Sequence, residues 1–319
     1  MAKRILITGG NGYVGREATR MLYDEHHVCV LDNLRTGGHR FASDERGRFR
    51  FEKVDICDRQ AVTRLMAEFT PDAIIHLAAI HYIPECEQEP ELALSTNVNG
   101  TLNLLRAAPD SARFVFASSG AVYAPDDAPH NEGTARIGPS DVYGFTKLHG
   151  EHYTSYYVRQ RGLSGVIVRL FNVIGPGETN PHLLPEIIAQ LKVGRKTIRL
   201  GNMWPKRDYI HVLDAARGFA AAALADNVNP GEAVTVNLGT SKSYSVSEIV
   251  RKLQQLVPSG FAVEEDASRQ RKVDRPHLAA DIEKIATHFG WRPSRSIDTA
   301  LADLWREPDL TPELIAKYR

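Results

Sequence analysis

Apolar residues gather in short continuous runs over residues 5–8, 28–31, 49–54, 73–77, 113–117 and 166–170. Continuous rather than alternating apolar runs predict strands buried on both faces, the condition of a parallel sheet covered by helices. Between them, residues 13–23, 59–69, 90–108 and 141–161 space their apolar positions at the helical period. This βαβ succession predicts an α/β fold built on a doubly wound parallel sheet.

The pattern changes after residue 171. Gly-Pro-Gly at 175–177 and prolines at 181 and 185 introduce shorter elements of mixed character. Helices are expected over 183–192, 212–224, 245–256, 281–288 and 297–305, with strands near Tyr209 and over 234–238. The expected organisation is a first domain over 1–171, with returns near 205–222 and 233–245, and a smaller mixed α/β lobe over 172–319. Both strands of the second half are expected to extend the first domain's sheet.

Composition adds mainly exclusions. Among 319 residues, Lys plus Arg equals Asp plus Glu at 39 each, so no global field favours nucleic acid or an anionic membrane. Hydrophobic residues at 43% and charged residues at 24% are ordinary for a soluble domain. Cys29, Cys57 and Cys86 are odd in number and lack zinc-ligand spacing, which points to a reducing compartment. The first residues hold too short an apolar run for a leader or a membrane span, so a cytoplasmic protein is expected.

The candidate chemistry begins directly after the first strand. Gly9-Gly10-Asn11-Gly12-Tyr13-Val14-Gly15 opens a helix, the context in which glycines allow a tight turn and close backbone approach to a pyrophosphate. Asp32 ends the second strand, where an acceptor for the adenosine ribose hydroxyls belongs. Its charge would repel a 2′-phosphate, so NAD is expected over NADP, with Arg35 read as a solvated loop charge. Asp55, ending the third strand, could contact adenine or cap the next helix.

Tyr143 and Lys147 are four residues apart and share a helical face. A nearby cation in a site of low dielectric favours the phenolate; lowering a tyrosine from its ordinary value to neutrality takes roughly 4 kcal/mol. Ser119 ends the fifth strand just before this helix. His149 and His152 are three apart on the same helix, have no evident third ligand, and are read as facing outward.

With these residues in order, the chain closely resembles the extended short-chain dehydrogenase/reductase superfamily, specifically its nucleotide-sugar epimerases of the UDP-galactose 4-epimerase kind. The similarity runs through Gly9 to Gly15, Asp32, Asp55 to Asp58, His76-Leu77-Ala78-Ala79, Asn97 to Thr101, Ser119, Tyr143 and Lys147, Phe171-Asn172, Arg207 to Val212 and Arg271. The resemblance implies that Tyr143 is the general base. It also implies that Lys147 lowers the tyrosine's pKa and holds the nicotinamide ribose, while Ser119 hydrogen-bonds the reacting oxygen. It implies cofactor contacts from Asn33, Asp55, Ile56, Leu77, Ala78, Ala79 and Asn97, although a buried asparagine in a satisfied network is the other reading of Asn97. For the substrate it implies Asn172, Leu183, Arg207, Tyr209, Arg271 and Asp274. His182 and His81 are expected to line the pocket as departures from the usual epimerase pattern. A homodimer through helices 90–108 and 141–161 is also implied.

The resemblance also bears on the reaction. Related dehydratases follow the catalytic hydroxyl with an Asp-Glu pair, and related decarboxylases place a glutamate beside it; here Gly120 and Ala121 follow Ser119. Oxidation and re-reduction at one carbon is what remains, so epimerisation at C4 through a 4-keto intermediate is expected. Leu278 stands where related epimerases often carry a tyrosine that excludes N-acetyl groups, so an N-acetylhexosamine or a uronate is expected to fit. The other classes are a nucleotide-sugar ketoreductase and a non-catalytic NAD-sensing protein.

Overall fold

The computed structural model describes residues 1–178, 180–269, 276–308 and 310–318. In chain order its first half comprises β1 (Arg4–Thr8), α1 (Tyr13–Leu22), β2 (His27–Asp32), β3 (Arg50–Lys53), α2 (Arg59–Phe69) and β4 (Ala73–His76). It continues with α3 (Ile83–Gln88), α4 (Pro90–Leu94), α5 (Thr101–Ala107), β5 (Arg113–Ser119), α6 (Val142–Arg161) and β6 (Ser164–Leu170). The second half begins with β7 (Asn172–Ile174), α7 (Leu183–Lys192), β8 (Thr197–Leu200), β9 (Lys206–His211), α8 (Val212–Leu224) and β10 (Ala233–Leu238). It ends with β11 (Ser243–Ser245), α9 (Val246–Leu256), β12 (Ala262–Glu265), β13 (His277–Leu278), α10 (Glu283–Phe289), α11 (Ile297–Arg306) and α12 (Pro312–Ala316).

The continuous apolar runs form one seven-stranded parallel sheet in the order β10-β6-β5-β4-β1-β2-β3. Alternate side chains of each strand enter separate cores. Ile5, Ile7, Val30 and Val115 pack with Ala18, Leu22 and Phe219 on the face of α1 and α8. Leu6, Leu31, Ile74 and Phe114 pack with Leu65, Leu104 and Val158 on the face of α2, α5 and α6. This double coverage explains why the strands read as unbroken apolar runs.

Strand order reverses between β1 and β4, and the ends of both strands are tied by buried His76, whose ring meets Thr8 at 2.7 Å and Thr101 at 2.8 Å. A crevice beyond the carboxyl ends of strands at such a switch point is where open α/β sheets bind ligands.

The second half divides its strands. β10 extends the large sheet beside β6, with Val236 opposite Val168, and α8 joins the same core as α1. β9 does not extend it: it pairs with β11, β13 and β7 in a second sheet. Its leading residues Lys206, Arg207 and Asp208 are charged, which an apolar sheet covered on both faces would not accommodate; in the second sheet the fully buried Asp208 carboxylate accepts from Thr240 N and Ser241 N, each at 2.9 Å. Ile187, Ile188, Ile198, Ile249, Leu253 and Leu301 form a separate core beneath this lobe.

Two helices differ from the periodicity. Residues 90–108 are divided into α4, a π-helical turn over Ser95–Gly100 and α5, and a short helix, α3, precedes them. The long helix α6 is intact, capped by the Asp141 carboxylate accepting from Gly144 N at 2.7 Å. It crosses β5 closely, since a Cβ on Gly150 would stand 2.2 Å from the Phe116 ring.

Candidate active site

One cleft of about 1230 Å³ runs along the carboxyl ends of the large sheet into the smaller lobe. At one end, Gly12, Tyr13, Val14 and Gly15 open α1. Gly9 has φ +68°, and a Cβ on Gly15 would stand 2.2 Å from the Gly9 carbonyl oxygen, so the loop can close only with glycine there. No side chain caps α1 at Gly12, which leaves its first N–H groups facing the cleft as an anion cradle.

The carboxylate of Asp32 accepts from Asn11 N at 3.1 Å and from Leu34 N at 2.8 Å, joining the glycine loop to the loop after β2. Burial pushes its pKa up, against the pull of these two N–H groups. Asn33, Ile56, Leu77, Ala78 and Ala79 line the same end. Asp55 stands behind Asn33, accepting from its amide at 2.9 Å and from Cys57 N at 2.8 Å. It is not the cap of α2, which is Asp58.

Asn97 lies behind the cleft wall. It is 2% exposed, accepts from Ile80 N at 2.8 Å, and donates to Ile80 O at 2.8 Å and Thr146 Oγ1 at 3.0 Å. Its side chain is fully engaged in tying the loop after β4 to α6. The π-helical turn aims it inward, a feature that periodicity alone does not reveal.

Ser119, Tyr143 and Lys147 meet at the middle of the cleft. Ser119 caps the turn that ends β5, its Oγ accepting from Ala121 N at 3.1 Å, and its hydroxyl favours the ionised form of the neighbouring Tyr143 phenol. Lys147, 4% exposed, donates from Nζ to Ala117 O at 2.7 Å, and its Nζ lies 5.8 Å from the centre of the Tyr143 ring. Burial lowers the Lys147 ammonium to about 8. Burial also raises the Tyr143 phenol well above its ordinary value, outweighing the lowering by Ser119. The Lys147 ammonium is directed at the backbone of β5 while lying within reach of the Tyr143 ring.

Beneath this trio lies a buried network that the sequence reading missed. Ser118 Oγ donates to Glu151 Oε1 at 2.5 Å, and Arg169 grips both oxygens of Glu151 from Nε at 2.8 Å and Nη2 at 2.7 Å. Two signals were present. Glu151 follows Lys147 by one helical turn, and Arg169 interrupts an apolar strand, where a charge needs a partner.

The far end of the cleft is lined by Asn172, His182, Leu183, Arg207, Tyr209 and Leu278. Parallel pairing of β7 with β9 sets Asn172 beside Tyr209, and β13 sets Leu278 beside Arg207. His81 Nε2 lies 2.8 Å from Asn180 Nδ2 across the cleft, and His182 Nδ1 lies 3.3 Å from Glu178 Oε2. Glu178, 7% exposed, is a second unforeseen group; burial raises its carboxyl, but hydrogen bonding to His182 carries the balance below the usual range. Arg271 and Asp274 lie outside the described residues. His149 and His152 are exposed on α6.

The profile of the NAD dependent epimerase/dehydratase family matches residues 5–239. The chain belongs to that family. Relatives within it include the UDP-glucose 4-epimerase of Corynebacterium glutamicum, 30% identical over 95% of this chain and 94% of that protein. The UDP-glucose 4-epimerase of Streptomyces lividans is 31% identical over 96% of each chain. Among solved structures, the NAD complex of UDP-glucose 4-epimerase from Brucella ovis superposes with a TM-score of 0.84 at 29% identity, covering 98% of this chain and 99% of that one. The corresponding NAD complex from Thermus thermophilus gives 0.82 at 29% identity, covering 95% and 98%. The family's cofactor fits this chain on its own geometry: the glycine cradle accommodates a pyrophosphate, and the Asp32 carboxylate is held at the end of β2, where it can accept from ribose hydroxyls.

Proposed function

We propose that the protein is an NAD-dependent UDP-sugar epimerase that inverts C4 through a 4-keto intermediate. The observation that carries this is the meeting of Ser119, Tyr143 and Lys147 midway along one cleft, with the glycine cradle at one end and Asn172, Arg207 and Tyr209 at the other. NAD supplies hydride acceptance and return when bound. The chain's residues handle the proton and the orientation. Tyr143 takes the proton of the sugar hydroxyl and returns it, and Ser119 donates a hydrogen bond to the same oxygen. Lys147 holds the end of β5 against α6 and presents a cation beneath the phenol. Gly120 and Ala121 offer no carboxylate to protonate a leaving hydroxyl, which favours epimerisation over dehydration.

In this reading Gly9, Gly12, Tyr13, Val14, Gly15, Asp32, Asn33, Ile56, Leu77, Ala78 and Ala79 hold the cofactor, with Asp55 and Asn97 supporting them from behind. Asn172, His182, Leu183, Arg207, Tyr209 and His81 hold the nucleotide-sugar. The large sheet with the returning α8 and β10 forms the NAD domain, and the remainder of residues 172–319 forms the substrate lobe. Among the described residues no helix is long and apolar enough to cross a membrane, and the free cysteines Cys29, Cys57 and Cys86 suit a reducing cytoplasm. Exposed Phe145, Tyr153 and Tyr156 on α6, with Leu92 and Leu94 at α4, suit a homodimer formed through these helices.

The test is incubation with UDP-, dTDP-, GDP- and CDP-sugars, followed by isomer separation and a deuterium check. The expected product is the C4 isomer of a UDP-sugar, formed without added cofactor and without solvent deuterium at C5. A dehydrated product, or turnover only with added reductant, would defeat the proposal.

A further inference from the structure

The far end of the cleft is walled partly by the segment that follows α11, outside the residues matched by the family profile. There α12 packs on α7, with Leu314 and Tyr318 buried against Ala189. Tyr318 is fixed from several sides. Its carbonyl accepts from Arg195 Nε at 3.2 Å and Nη2 at 2.9 Å, and its hydroxyl lies 3.3 Å from Arg269 Nη1. The guanidinium carbons of Arg195 and Arg269 lie 5.5 and 5.6 Å from its ring centre. A tyrosine held this way sets the position of its neighbour Lys317, which lines the cleft and pairs with Glu186 in the first turn of α7.

Glu186 also faces Arg269, whose Nη1 lies 3.5 Å from its Oε2, while Arg269 Nε lies 3.5 Å from Asp266. One carboxylate thus serves two cations at the rim. The Lys317 side chain is 50% exposed, and a pair so wet adds little to folding, so an entering anion can replace Glu186 at small cost. We propose, resting on the function proposed above, that residues 312–318 are part of the substrate site, with Tyr318 as anchor and Lys317 as a cation for the diphosphate of the bound nucleotide.

The experiment compares the NAD-loaded parent, Lys317→Ala and Lys317→Arg, measuring UDP affinity by calorimetry and KM and kcat for UDP-sugar turnover. Lys317→Ala is expected to weaken UDP binding and raise KM about five- to tenfold, the loss falling on KM rather than kcat, as for a lost charge contact to ligand. Lys317→Arg is expected to restore most of it. UDP affinity unchanged by Lys317→Ala, or no UDP binding by the parent, overturns the proposal. UDP binding that responds to Lys317→Ala without any C4 isomer being formed would defeat the epimerase function and leave Lys317 as a nucleotide contact. Unchanged NAD content and melting temperature in Lys317→Ala exclude misfolding as the cause.

Discussion

Lys147 donates its ammonium to the carbonyl oxygen of Ala117 at 2.7 Å, joining α6 to the strand that ends in Ser119. Burial depresses this lysine from 10.5 to about 8. The unfolded chain therefore binds the extra proton between these values, and stability rises as pH rises through the window. The contribution is complete above the unfolded value and is lost as pH falls through the folded one. Tyr143, raised above its ordinary 10.0, acts in the opposite sense at higher pH. Between pH 8 and 10 the parent should gain about 2 kcal/mol relative to Lys147→Met, read from chemical unfolding at each pH. Parallel curves for the two proteins would show that Lys147 is not buried as a charge.

The Tyr143 phenol is a poor base as burial leaves it, well above its ordinary value. A positive charge brought near the phenol would lower its pKa, and oxidised nicotinamide would supply one if bound beside Tyr143. The phenolate absorbance of Tyr143, taken as the difference between the parent and Tyr143→Phe, should emerge at lower pH in NAD-loaded protein than in protein stripped of cofactor. Tyr143→Phe should retain NAD while kcat falls by about 10²- to 10⁴-fold, the range for loss of a general base. A titration indifferent to NAD would leave the tuning unexplained.

Much of this site was legible in the chain. The glycine loop, Asp32, Ser119 and the Tyr143 to Lys147 spacing are local patterns attached to elements that periodicity defines, and the structure brings them to one cleft. What stayed hidden depends on tertiary contact. The Lys147 spacing suggested an interaction with Tyr143, but only the packing of α6 on β5 reveals the Ala117 carbonyl as its partner. Asn97 matched a family position, yet the π-helical turn that directs it to Ile80 and Thr146 leaves no mark on the apolar period. Glu178 and Lys317 lie in segments of mixed character whose arrangement is set by the smaller lobe.

Glu151 and Arg169 are 4% and 6% exposed and form a bidentate pair under the catalytic strand. Removing one charge leaves the other buried and uncompensated, whereas removing both leaves a gap that apolar atoms can fill. Glu151→Gln should lower unfolding stability by about 3 kcal/mol, and the double variant Glu151→Leu with Arg169→Met should recover more than half of it. Denaturant midpoints provide the comparison; a double variant no more stable than the single one would show that the pair's geometry matters beyond its charge.

Phe145, Tyr153 and Tyr156 lie along the outer side of α6, each 39% exposed or more. A stripe of aromatic rings on one helix is costly to leave in water and serves well as an interface centre. Phe145→Glu combined with Tyr156→Glu should shift the mass measured by light scattering from dimer to monomer at micromolar concentration. A dimer that survives both changes would place the interface elsewhere.

Leu278, 8% exposed, lines the cleft beside Arg207. A leucine leaves room that a tyrosine would fill, so the pocket should admit an N-acetyl group at the sugar's C2. The parent should therefore turn over UDP-N-acetylglucosamine at a kcat/KM comparable to that for UDP-glucose. Leu278→Tyr should reduce the former by about 10- to 100-fold and spare the latter, since steric exclusion of a substituent acts on one substrate alone. A parent that strongly prefers UDP-glucose would mean that another side chain of the cleft already occupies the space.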